Sequence, residues 1–157
     1  MKRLISVLLC VVLLFCAAGC SKTDSVLAGT KWDMSKQQVK AIVGEDKVQD
    51  GASENVINWM LTKELSDVFG ERTVSVAFVF TEDKMSSITV QIFTGDGETI
   101  ETAMSATKTA MEKVYGPADE GDSVHWHGET AAISLRTIDG TKSFFIASFS
   151  PMTAHSH

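Results

Sequence analysis

The chain has 157 residues, with 20 acidic against 14 basic side chains and a formal net charge of −6. That length allows one ordinary domain behind any leader, and the acidic balance argues against nucleic acid and anionic headgroups as partners. All three cysteines fall in the first twenty residues, so the rest of the chain has no disulfide and must rest on its Phe, Trp, Val and Ile core.

The first segment reads as an export leader. Met1-Lys2-Arg3 is basic, residues 4–15 are almost wholly apolar, and Ala17-Ala18-Gly19 supplies small residues just ahead of Cys20. This is the layout of a secretory signal peptide. About twelve apolar residues span roughly 18 Å as a helix, well short of a hydrocarbon core of ~30 Å, so the segment is not a membrane-spanning anchor. The run Ala17-Ala18-Gly19-Cys20 resembles the bacterial lipoprotein cleavage box, which implies removal of residues 1–19 and lipidation of the Cys20 thiol. Ala17 and Gly19 also satisfy an ordinary secretory cleavage site. Cleavage there would leave Cys20 as an unpaired thiol, because Cys10 and Cys16 depart with the leader. The lipidated reading predicts a mature chain of 138 residues (157 less 19), with 12 basic against 20 acidic residues and a net charge of −8. It would be anchored in the cell membrane or the outer membrane, with its domain facing the periplasm or the exterior. Ser21 after the cysteine favours the outer membrane in a two-membrane envelope, by the usual lipoprotein sorting rule.

Residues 20–30 are small and polar, and are expected to form the lipidated terminus and a tether. A domain over residues 31–150 follows, and residues 151–157 are expected to be a flexible tail. Ser35 and Gln38 form an S-x-x-Q capping box, with Met34 and Val39 placed as a hydrophobic staple. Val39, Ile42 and Val43 make an apolar stripe, and Gly44 stops this short helix. Residues 56–61 are strand-like around Trp59. Residues 73–80 are rich in β-branched and aromatic side chains and, after a polar turn, residues 85–93 place Ile88, Val90 and Ile92 on one face, which predicts a hairpin of two long strands. A longer helix follows, with Asp96 as its expected cap. Ile100, Ala103, Met104, Thr107, Met111, Val114 and Tyr115 are expected on one side of it, and Gly116-Pro117 stops it. After an acidic loop (Asp119, Glu120, Asp122) come a strand over 123–127 with Trp126, a strand over 130–138, a turn at Asp139-Gly140, and a strand over 142–149.

The two halves share one order: helix, glycine stop, Trp-bearing strand, hairpin. Gly44 corresponds to Gly116, Trp59 to Trp126, and Asp83-Lys84 to Asp139-Gly140. The pattern predicts an α+β fold of two αβββ units, about 31–94 and 95–150, with antiparallel sheets covered on one face by helices. The Trp/Met-Ser-x-x-Gln-Val helix, glycine stop and β-meander behind a lipobox resemble the small outer-membrane-assembly lipoproteins of the SmpA/OmlA type. The doubled unit resembles the beta-lactamase-inhibitor-protein fold, although this chain lacks that family's disulfides. The resemblance implies fold and setting, and carries over no partner-binding residues.

Few residues suggest chemistry. His125 and His127 alternate with Trp126, so both imidazoles lie on one side of a strand and can address one metal ion. A zinc site needs further ligands, which the acidic loop or His155 and His157 would have to supply. If Trp126 faces the core, the same histidines simply face solvent. No nucleophile elbow, phosphate loop or metalloprotease helix is present, and the sequence points to no catalytic residue and no cofactor. Phe144 and Phe145 are neighbours on a strand and must point to opposite faces. One of the rows Phe145-Ala147-Phe149 and Phe144-Ile146 is therefore left for a partner if helices cover only one face. Phe144, Phe145 and Ile146 are accordingly the candidate partner-binding residues. The expected function is a non-enzymatic protein-binding or assembly module that meets another envelope or extracellular protein. The alternatives are a ligand- or metal-binding lipoprotein using His125 and His127, and an inhibitor of a secreted enzyme.

Overall fold

A computed structural model of the chain describes residues 25–120 and 123–152. Cys20, Asp122, His155 and His157 lie outside the described residues. Among the described residues, no helix is long and apolar enough to cross a membrane.

The fold is α+β. Helix α1 (Lys36–Val43) is followed by β1 (Val48–Asp50), β2 (Val56–Thr62), a single helical turn α2 (Ser66–Phe69), and the long strands β3 (Val74–Thr81) and β4 (Lys84–Phe93). Helix α3 (Ile100–Tyr115) then leads into β5 (Asp119–Glu120), β6 (Val124–His127), β7 (Ala131–Arg136) and β8 (Phe144–Pro151). All eight strands join one antiparallel sheet in the order β1-β2-β3-β4-β8-β7-β6-β5. Helices α1 and α3 are thus each followed by four strands where three were expected, with α2 lying between β2 and β3, and there is one sheet in place of separate ones. The added strands β1 and β5 are short and polar, so no apolar alternation marks them. Asp119 and Glu120, expected in a loop, form β5. Pro151, expected in a free tail, closes β8 opposite Ala131.

Local signals act where the physics is local. The Ser35 hydroxyl accepts from the Gln38 backbone N–H, and the Gln38 side chain accepts from the Ser35 N–H at 2.8 Å, which completes the capping box. Glu82 and Asp83 both adopt positive φ, 51° and 59°, as a two-residue hairpin turn with right-handed strands requires. Helix α3 is capped by the Thr99 hydroxyl and not by Asp96, because Gly95 to Glu98 form a turn ahead of it. Ile42 and Val114, expected in the apolar stripes, are exposed at the margins of their helices.

The core lies on one face of the sheet. Ile57, Phe78, Ile88, Phe149, Ile133 and Trp126 are successive register partners on six adjacent strands, and all are buried. Each such side chain contributes roughly 1.5–3 kcal/mol on leaving water. Trp59 belongs to the next row, opposite Val76. The Trp126 indole N–H donates to the Gly116 carbonyl at 3.0 Å, tying β6 to the end of α3. From above, α3 places Ala103, Thr107 and Met111 into the core. Phe69 of α2 and Tyr115 of α3 both meet the Phe149 ring edge-on, with centroids 6.4 and 6.1 Å away.

Residues 25–30 are not a tether. Val26, Leu27 and Thr30 are buried, and the Tyr115 hydroxyl donates to the Val26 carbonyl at 3.3 Å. Val26-Leu27 is an apolar pair in an otherwise small, polar stretch, and its burial moves the start of the packed body back from residue 31. Beyond it the Trp32 indole donates to the Thr130 carbonyl. The Met85 N–H donates to the Met34 carbonyl at 2.8 Å. The segment therefore links α3, β7 and β4.

Candidate functional site

Strand β8 decides which side of the sheet is available. Its pleat turns Phe145, Ala147 and Phe149 toward the helices, where Phe145 is 0% exposed. Phe145 is therefore a core residue and offers nothing to a partner. Phe144 and Ile146 point to the opposite face, as alternation requires. Phe144 is half-buried and packs against Phe93 of β4 at a centroid distance of 6.1 Å. Ile146 is largely buried on this face too, flanked in register by Gln91 and Arg136.

This second face is built of small and polar side chains with apolar residues at one end. Asn58, Ala77, Thr89, Ser148, Ser134 and His125 form one row across it by register. At one end of that row lies a hollow of about 490 Å³ lined by Met60, Ile138, Phe144 and Ile146 together with polar Asn58, Ser75, Thr89 and Gln91. None of its lining residues is charged.

The end of β2 shapes that hollow. Register passes from Trp59 opposite Val76 to Thr62 opposite Val74, so Met60 and Leu61 form a bulge against β3. Leu61 has a φ of 49°, and its N–H donates to the Ser75 hydroxyl at 3.1 Å. Positive φ is unusual for a bulky residue. The bulge leaves Met60 51% and Leu61 63% exposed. Neither was expected at the site. The available signal is the run Trp59-Met60-Leu61: three consecutive apolar residues cannot all face one core on a regular strand.

His125 and His127 do share the outer face of β6, opposite Ser134 and Ala132. The His125 Nε2 lies 2.6 Å from the Ser123 hydroxyl, and Asp119 is its register partner on β5. His127 is exposed. Among the described residues, no group of three or more His, Cys, Asp or Glu is placed to hold one metal ion.

Arg72, ahead of β3, and Glu98, ahead of α3, form a clamp. Both terminal guanidinium nitrogens of Arg72 meet the Glu98 carboxylate, the Nη2–Oε1 pair at 2.7 Å. That pairing, with the Gly95 N–H, pulls the Glu98 carboxyl down to about 2. Burial pushes the Tyr115 phenol up. The helix-free face thus carries a row of small and polar side chains beside an uncharged hollow with apolar lining. No protein-family model matches the chain, and neither a curated protein nor a solved structure matches it.

Proposed function

We propose that this protein is a lipid-anchored envelope lipoprotein acting as a non-enzymatic protein-binding or assembly module, with the helix-free face of its sheet as the binding surface. One observation carries the reading: the helices and the N-terminal segment pack on the Phe149 side, while the opposite side holds part-exposed Met60, Ile138 and Phe144 around a hollow. Apolar surface gathered in one place on a soluble face is what protein partners cover. The partner is another envelope or extracellular protein, and the anchor is the acylated Cys20.

We read the two halves as copies of one unit. The sheet order supports this, since it runs helix-first strand to hairpin from either edge toward β4 and β8. Trp59 on the second strand of one half matches Trp126 on the second strand of the other, and Gly44 matches Gly116.

A photo-crosslinking residue at Phe144, in native membranes, should give a discrete protein adduct. The same residue at exposed Ala106 on α3 should not. Adducts only from Ala106, or from neither position, would remove the binding-face reading. Cys20→Ser should release the protein from the membrane fraction, and an intact membrane form without acyl mass would refute the anchor.

A further inference from the structure

We propose that the surface around the Val26-Leu27 segment, with Ile42 of α1 and Val114 of α3 at its margins, rests on the lipid bilayer and sets those two side chains into its interface. The inference rests on the lipid-anchored reading above and names the side of the domain that the membrane meets.

Two observations carry it: the reach of the chain ahead of the packed body, and the apolar residues at the place where that chain leaves. The Val26 N–H donates to the Thr30 carbonyl at 2.8 Å and the Thr30 N–H to the Leu27 carbonyl at 2.9 Å. This stretch is therefore closed on itself and lends no length to a tether. Cys20 stands five residues ahead of Ser25 (25 less 20), which is at most about 17 Å of extended chain. A body of this size is roughly 35 Å across. Acyl chains on Cys20 thus hold the exit point at the bilayer, and the far side of the domain cannot take its place.

Ile42 and Val114 stand at that exit. A Cβ added to Gly29 would lie 3.5 Å from the Ile42 Cγ2. Val114 precedes Tyr115, whose hydroxyl donates to the Val26 carbonyl. The segment that leads to Cys20 therefore meets both helices. Ile42 is 43% and Val114 49% exposed, so each leaves a large apolar side chain in water beside the anchor.

The other end of α3 is far from this exit. Residues Glu98 to Glu101 share a hollow with Ile138 there, and the helix rises about 21 Å from Ile100 to Val114. With the Val114 end on the bilayer, Ile138 and the hollow beside Phe144 stay in water. Headgroup charge is not the attraction, because the chain carries a formal net charge of −6. Apolar insertion supplies it. Two side chains are enough because the tether holds them at high effective concentration over the membrane.

The test uses the full acylated chain, extracted from membranes and reconstituted in phosphatidylcholine vesicles. No cysteine follows Cys20, so Ile42→Cys, Val114→Cys and Ile138→Cys each offer one free thiol for an environment-sensitive fluorophore. All three positions are exposed, and a label there leaves the core untouched. At 42 and 114 the emission should shift to the blue on reconstitution and be largely lost to lipids that carry a nitroxide at headgroup depth. At 138 neither change should occur. Fluorophores that stay aqueous at 42 and 114 on a vesicle-bound chain, or equal quenching at 138, would overturn the proposal and leave the anchor standing. A membrane form without acyl mass removes the anchor itself, and the proposal with it.

Discussion

Arg72 grips Glu98 with two nitrogens and thereby ties the chain just ahead of β3 to the residue before the cap of α3. The two are 26 residues apart, and both side chains are mostly sheltered from water.

It also makes stability depend on acid. Glu98 titrates near 2 in the folded chain against an ordinary value of 4.5, so its contribution is fully present above about 4.5. That contribution is lost as pH falls from there through about 2, because the unfolded chain takes up the proton first. Glu98→Gln should therefore lower the urea midpoint at pH 7 and converge with the parent protein near pH 2. Equal midpoints at pH 7 would show that the clamp adds nothing to stability.

Phe144 and Phe145 should behave oppositely. Phe145→Ser removes a fully buried ring and inserts a hydroxyl with no assigned partner, at a cost of about 3–5 kcal/mol. Phe144→Ser loses its contact with Phe93 and only part of a buried side chain, and should cost about 1–2 kcal/mol. Thermal melts of both variants decide this. If the two melted alike, the assignment of the faces would be wrong.

Thr107 offers a gain. Its hydroxyl is buried on the core side of α3 and has no hydrogen-bond partner among the described residues. Thr107→Val keeps the shape and removes the unpaired group, and should stabilise the protein by about 1–2 kcal/mol. A lowered melting midpoint would mean that the hydroxyl has a partner after all.

Leu61 separates stability from binding. Leu61→Gly relieves the left-handed backbone conformation, worth about 1–2 kcal/mol, against a glycine entropy cost of about 0.5–1 kcal/mol. The melting midpoint should stay level or rise slightly, while the Phe144 crosslink weakens. A clear fall in the midpoint would show that the exposed side chain packs more than its exposure indicates.

The strands around Phe78, Ile88 and Phe149 were legible because a half-buried strand writes a period of two into its own sequence. The Ser35–Gln38 capping box was legible for the same reason, since its partners are three residues apart. The opposed rows of β8 followed from the pleat alone. Which row faces the helices did not, because that depends on where α2, α3 and the Val26-Leu27 segment come to rest. The strands β1 and β5 carry too few residues to show a period. The bulge at Met60-Leu61 arises from a register between β2 and β3 that neither strand encodes by itself. Alternation and capping are properties of neighbours along the chain, and so the amino-acid order settles them. The choice of open face and its hollow arise from residues far apart in the chain, and only packing brings those together.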